Sequence, residues 1–465
     1  MFLKRYFVEG LAHASYLFGA DGEAAVVDPK RDVDDYLADA EREGLRIVAI
    51  LNSHPHADFA SGFRELAQRT GAKIYASHLA PAKYEHIAAK DSDRIRIGTL
   101  EVELLETPGH SPDSLSFLVR ENGRPEAIFT GDLLFVNDVG RPDLRDADED
   151  PSALAGKLYD SLFHKILALP DDVKIYPAHG AGSLCGRAIS SAPFSLIGQE
   201  RRFNWALQIK DRAAFVRQMI ANLPDRPAYF SYEVGVNLSG AKPLSELPPL
   251  RAMTEDELTK AAAAGATVID TRSAPFFGAG HFPGSLNIGL GSALFSTWVG
   301  FIVPGGTPIA LVVGSADNAS KAQLELARIG FDNLLGTIEA DALTRSTSLT
   351  QLSQLSVCDL KTGLRSGTAP LVLDVRTLGE WEKNHIEGAL HIPLPSLTAR
   401  LAEVPRDQPV ALMCGSGYRS SIAASLLQAR GFLRLQNVMG GMGAYMEAVC
   451  PDFDPAEMVF RADSI

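Results

Sequence analysis

The C-terminal half of the chain is written twice. Residues 266–290, ATVIDTRSAPFFGAGHFPGSLNIGL, align without gaps to residues 370–394, PLVLDVRTLGEWEKNHIEGALHIPL. Asp270, Arg272, His281 and Gly284 match Asp374, Arg376, His385 and Gly388 at a constant offset of 104. Further on, residues 308–331 align with residues 409–432 at an offset of 101. Two constant offsets in one order require two copies of one structural unit. Each copy reads as strand, loop and helix, which predicts an α/β domain. The copies are expected at residues 252–345 and 355–465, after a Pro-rich linker, AKPLSELPPL, at 241–250.

Residues 1–240 have a different pattern. Short apolar runs such as EAAVVDP, RIVAILNSH, LEVELLETPGH and EAIFTGDLLF alternate with turns and helical stretches. The last three runs end at His or Asp. Polar, metal-capable residues placed just after strands predict a site on loops at one edge of a sheet sandwich.

Charge and cysteine usage exclude several function classes. A net charge of −13 with no basic stripe argues against nucleic acid as a partner. No apolar run approaches the ~20 residues that span a bilayer. The N-terminus lacks a secretory layout, so a cytoplasmic location and no membrane partner are expected. The four cysteines, Cys185, Cys358, Cys414 and Cys450, are scattered without a CxxC pair, so neither a disulfide framework nor a cysteine-based zinc site is expected. Cys358 and Cys450 read as packing residues. Cys185 is queried only for its closeness in sequence to a histidine loop.

Four segments can supply metal ligands: His54, His56 and Asp58 in SHPHADFASG; His110 in TPGHSPDS; Asp132 in FTGDLLF; and His179 in YPAHGAGSLCG. A lone His or Asp at a strand end is usually a turn residue. Four of the chain's eleven histidines gathered with two aspartates at strand ends predict metal binding.

HxHxD, GH, GD and AHG in this order resemble the metallo-β-lactamase superfamily. The resemblance implies an αββα sandwich with the metal at the sheet edges. Binuclear hydrolases of that superfamily continue the first motif with a further His, and here that position is Phe59. An apolar ring there removes a ligand of the second site and implies a single metal. GDLLFVNDVGRPDL and PAHGAGSLCG resemble the persulfide dioxygenases, a branch with one non-haem iron in which a His is common at the Phe59 position, so Phe59 departs from this branch as well. Carried over residue by residue, the resemblance implies Fe(II), one per chain, on His54, His110 and Asp132. It leaves His56, Asp58 and His179 to orient ligands or water. Two His and a carboxylate are the facial triad of Fe(II) oxygenases, with open positions for O₂ and substrate.

The second copy of the repeat carries Cys414-Gly415-Ser416-Gly417-Tyr418-Arg419 between a buried strand and a helical pattern. Backbone N–H groups converging at a helix N-terminus bind an anion and lower a thiol pKa. The surrounding residues resemble the rhodanese sulfurtransferases. That implies Cys414 as nucleophile, Arg419 as the loop's cation, and residues 415–418 as the anion-binding loop. The six-residue loop matches sulfurtransferases, whereas phosphatases of the fold carry one residue more. In the first copy Val313 and Asn318 stand at these two positions, so it has neither nucleophile nor cation.

The combined expectation is a persulfide dioxygenase fused to two rhodanese-like domains, the first inactive. Its small-molecule partners would be a thiol persulfide, O₂, and thiosulfate or sulfite, and the assembly a homo-oligomer. The competing expectation is a mononuclear zinc thioesterase of the glyoxalase II type with an appended sulfurtransferase. A third is a sulfur carrier in which only Cys414 turns over.

Overall fold

A computed structural model describes residues 1–145, 150–221, 223, 226–343, 349–448 and 450. Residues 344–345 of the expected second domain, and 449 and 451–465 of the third, lie outside the described residues. The chain splits into two compact units. One is Met1–Pro249 with Ser296–Gly306 and Gln323–Asp332; the other is Leu250–Phe295 with Thr307–Ala322 and Asn333–Ile465. Two stretches of the first repeat are thus built into the first unit.

The first unit is a sandwich because its strands alternate. In strand His13–Ala20, Tyr16 and Phe18 point to one face and Leu17 to the other, as a two-residue period demands. One six-stranded sheet runs Phe2–Val8, His13–Ala20, Glu23–Val27, Arg46–Leu51, Lys73–Ser77, Ile87–Ala89. Its first three strands are antiparallel and the rest parallel. The other sheet runs Ser195–Leu196, Lys174–Pro177, Arg124–Gly131, Leu115–Glu121, Leu100–Glu106, Arg94–Ile97. Tyr16, Phe18 and Leu51 of the first sheet pack against Leu104, Phe117 and Phe129 of the second in one core. Leu17 and Ile50 face helices Asp34–Arg42 and Phe63–Thr70, while Leu118 and Ile128 face helix Pro151–Asp160 on the opposite side. The layers are αββα. Strands Arg46–Leu51, Leu100–Glu106, Arg124–Gly131 and Lys174–Pro177 lead into His54, His110, Asp132 and His179.

The second unit holds two parallel sheets. One orders Leu286–Asn287, Thr267–Asp270, Ile309–Val313, Leu334–Glu339. The other orders Ser353–Leu355, Leu435–Val438, Val410–Met413, Leu371–Asp374, Leu390–His391. Parallel strands need crossovers, and buried strands such as Val410–Met413 read as unbroken apolar runs for that reason.

One sequence expectation is corrected here. Cys358 and Cys450 form a disulfide, with Cα atoms 5.4 Å apart across a separation of 92 residues. Helix Val357–Ser366 packs on helix Gly441–Glu447, and Lys361 Nζ donates to the Ala448 carbonyl at 2.8 Å, which brings Cys450 back to Cys358. Such a pairing depends on tertiary approach, which spacing does not encode. Among the described residues, no helix is long and apolar enough to cross a membrane.

Candidate metal centre and cysteine loop

The metal-capable residues meet. His54, His110 and Asp132 place ligand atoms within 4.8 Å of one another, and so do His56, Asp132 and His179. The Asp132 Oδ2 atom lies 3.8 Å from His54 Nε2, 3.5 Å from His110 Nε2 and 3.5 Å from His179 Nε2. All are buried. Local structure aims each ring. Ser53 Oγ is 3.0 Å from His54 Nδ1, leaving Nε2 to face Asp132. The Ala12 carbonyl lies 3.3 Å from His179 Nδ1, turning its Nε2 the same way. Asp28, in left-handed backbone at φ +46°, accepts from Ser53 N–H at 2.7 Å and lies 3.5 Å from His56 Nε2. Gly140 lets the chain pass beside the site, since a Cβ there would sit 1.9 Å from the Asp132 carbonyl oxygen.

This cluster fits a cation. His54 Nε2, His179 Nε2 and both Asp132 carboxylate oxygens are buried without hydrogen-bond partners in the protein, a donor set that suits a cation. Electrostatics agrees. Burial, then the neighbouring imidazoles His56 and His110, push His54 well below the usual histidine range. Burial, with His56 and His179, lowers His110 to about 3. Both rings therefore stay neutral and keep a lone pair for a metal. Burial raises Asp132 to about 7, with the Asp58 charge adding to it, a cost that a bound cation would remove.

Phe59 fills the place where the first motif might have continued. Its ring stacks on His13 with centroids 3.6 Å apart and lies 4.5 Å from the His56 ring. His13 is buried with neither nitrogen partnered. Beyond Phe59 the structure assembles a third donor group, Asp58, His179 and Cys185. The Cys185 thiol lies 3.7 Å from Asp58 Oδ2, and Asp58 Oδ2 lies 3.3 Å from His179 Nε2. Burial, then Asp58, pushes the Cys185 thiol well up. Of the further groups gathered here, only Cys185 is marked in the sequence, and His13 and Asp28 are not among the residues its motifs single out. Proximity to the AHG motif was the only signal for Cys185, and His13 had none.

The cysteine loop forms at the end of strand Val410–Met413 and the start of helix Tyr418–Ala429. Cys414 is buried, its sulfur accepts from Gly417 N–H at 3.1 Å, and the Ser420 hydroxyl, which donates to Asn437 Oδ1 at 2.7 Å, lies 3.4 Å from it. Segment 440–443 supports the loop from outside. Met442 N–H donates to the Cys414 carbonyl at 2.6 Å and Gly443 N–H to the Gly415 carbonyl at 2.9 Å. Tyr418 OH donates to the Gly289 carbonyl of the first repeat at 3.0 Å.

Arg419, at the end of the loop, has a carboxylate partner. Its guanidinium makes a two-pronged pair with Glu380, at 2.7 and 2.6 Å. Glu380 also caps helix Leu378–Lys383, where Thr377 N–H donates to it at 3.0 Å. Arg419 holds Glu380 down to about 2. The first repeat has buried Val313 at the position aligned with Cys414.

Comparison with known proteins agrees with this geometry. Residues 8–179 match the metallo-beta-lactamase superfamily, and residues 356–448 match the rhodanese-like domain. The mitochondrial persulfide dioxygenase of Homo sapiens is 32% identical over 230 residues, which cover 48% of this chain and 82% of that protein. A hydroxyacylglutathione hydrolase of Polaromonas sp. is 28% identical over 233 residues, covering 44% and 85%. The crystal structure of a metallo-beta-lactamase from Staphylococcus aureus is 32% identical with a TM-score of 0.64, covering 73% of this chain and 98% of that one. Order of motifs, sheet-edge donors and these likenesses coincide: the chain belongs to the metallo-β-lactamase superfamily and carries a rhodanese-like domain at its C-terminal end.

Proposed function

We propose that the chain is a persulfide dioxygenase joined to a sulfurtransferase. The observation that carries the reading is the buried donor set His54, His110 and Asp132, with His54 Nε2 and both Asp132 oxygens orphaned and Phe59 stacked on His13 where another ligand would stand. The balanced reaction is RSSH + O₂ + H₂O → RSH + H₂SO₃. Fe(II) on those three residues would supply the activation of O₂ beside a soft sulfur anion. The protein supplies orientation. Ser53 and the Ala12 carbonyl fix ring directions, and Asp28 holds His56.

At the second site, the Gly417 N–H donates to the sulfur of Cys414, which acts as a thiolate nucleophile. The thiolate attacks the outer sulfur of thiosulfate or of a persulfide. The S–S bond of the donor breaks and sulfite or thiol leaves with its electron pair. The new Cys414 persulfide then passes its outer sulfur to an acceptor thiolate, which regenerates the cysteine. Arg419, held by Glu380, braces the loop during both attacks.

The test is metal analysis joined to O₂ uptake with glutathione persulfide. One iron per chain and sulfite as product support the reading. Zinc with no O₂ consumption overturns it. The second reading, a thioesterase, is favoured by the likeness to hydroxyacylglutathione hydrolases and by the extra donor group with Cys185. Thioester hydrolysis under anaerobic conditions would establish that alternative.

A further inference from the structure

The first repeat has no nucleophile, yet residues 323–332 of it are part of the first unit. The contacts of that tract lead to the loop that carries His54, His56 and Asp58. Ala60 N–H, next to Phe59, donates to the Arg328 carbonyl at 2.8 Å. The Arg328 side chain grips Asp32 through two nitrogens, at 2.9 and 2.8 Å. Four residues on, Asp332 accepts from Arg31 Nη2 at 2.8 Å, and Arg31 is only 1% exposed. Residues 29–32 in turn clasp the metal loop, because the Pro29 carbonyl accepts from Gly62 N–H at 3.1 Å and from the Ser61 hydroxyl at 2.9 Å.

Asn237, on helix Phe230–Ser239, closes the same loop from another side. Its buried amide donates to the His56 carbonyl at 2.8 Å and to the Phe59 carbonyl at 2.7 Å. Its amide oxygen accepts from Ser61 N–H at 2.9 Å. Two acceptors and one donor suit one Asn side chain and no other residue of that size. Tyr232 of this helix donates to the Gly330 carbonyl at 2.9 Å, joining the helix to the tract.

We propose that Asn237 and the Arg328–Asp332 end of the first repeat are positioning elements for the metal loop, and that this is what the repeat without a nucleophile contributes. The loop contains no regular element of its own between strand Arg46–Leu51 and helix Phe63–Thr70, so its backbone is set by these partners. The inference rests on the metal-centre reading and is independent of the reaction.

The test uses the full-length chain and Co²⁺ as probe, with affinity from chelator competition and geometry from the Co²⁺ ligand-field spectrum. Asn237→Asp keeps shape and the acceptor for Ser61 but sets an oxygen against two carbonyls. Arg328→Ala removes the grip on Asp32, and Arg328→Lys restores the charge alone. Metal binding should weaken by about tenfold or more in Asn237→Asp and Arg328→Ala, the range seen when groups behind ligands are removed. The Co²⁺ spectrum should change with it, Arg328→Lys should recover part of the loss, and sulfur transfer from thiosulfate by Cys414 should be unaltered. If Asn237→Asp does not fold, the Arg328 pair decides. Affinity and spectrum that stay within about twofold of wild type in the folded variants overturn the proposal, since supports of ligands normally exceed that margin. A wild-type chain that binds no Co²⁺ overturns the metal-centre reading as well, and so separates the two failures.

Discussion

Phe59→His restores the residue that binuclear relatives of this fold place after HxHxD. Phe59 is 1% exposed and stacked on His13, so the substitution removes an apolar ring from a closed site. It also buries two ring nitrogens beside His13, whose own two nitrogens have no partners, so the pair cannot satisfy all four among themselves. Lost apolar burial and the polar atoms left over together cost about 2–5 kcal/mol in the metal-free chain. A second ion held by the new imidazole with Asp58 and His179 would return about 2.7 kcal/mol at a hundred times its dissociation constant. The melting midpoint of the first unit should therefore fall in chelator and recover on adding metal, by more than in wild type. Metal per chain should rise from one to two by elemental analysis. A wild-type chain that already holds two ions would refute the reasoning, as would a variant that stays at one. In the first case Cys185 is the compensating ligand, and Cys185→Ser would bring the count back to one.

Gly441→Ala should abolish sulfur transfer while leaving metal binding intact. At φ +57° its Cβ would stand 2.3 Å from the Cys414 carbonyl oxygen and 2.7 Å from Ser416 N, and backbone cannot yield as a side chain can. A loop displaced by about 1 Å loses roughly 10²-fold in rate, which a thiosulfate assay reads directly. Asp132→Asn should flatten the pH dependence of metal-free stability. Burial raises Asp132 from 3.8 to about 7, so its contribution is fully present below the unfolded value and is lost as pH rises to the folded one. Denaturant midpoints of the chelated wild type should fall across that window, and those of the variant should fall less. Glu380→Gln should lower kcat for sulfur transfer with metal content unchanged, because it frees the Arg419 guanidinium from its two-pronged pair. Full activity in that variant would show that the brace has no role in turnover.

Some of this was legible in the residues themselves. Short apolar runs such as RIVAILNSH and LEVELLETPGH are strands Arg46–Leu51 and Leu100–Glu106, because β-branched and leucine-rich runs bounded by turns suit buried sheet. Motifs at strand ends bring His54, His110, Asp132 and His179 to one edge, since each loop inherits its place from the strand before it. The cysteine loop is similarly local, six residues between one strand and one helix.

Other features exist only once the chain has packed. Cys185 reaches Asp58 across 127 positions, and Asn237 reaches His56 across 181. Glu380 on helix Leu378–Lys383 reaches Arg419 across 39 positions. The Cys358–Cys450 bond and the merging of residues 323–332 into the first unit belong to the same class. Periodicity and turn chemistry act over a few residues, so the sequence by itself determined the strands, the repeat and the donors at the sheet edge, while the αββα layering came from the resemblance. Which distant groups stand behind those donors is decided by side-chain packing and the satisfaction of buried polar atoms, and only the tertiary structure carries that information.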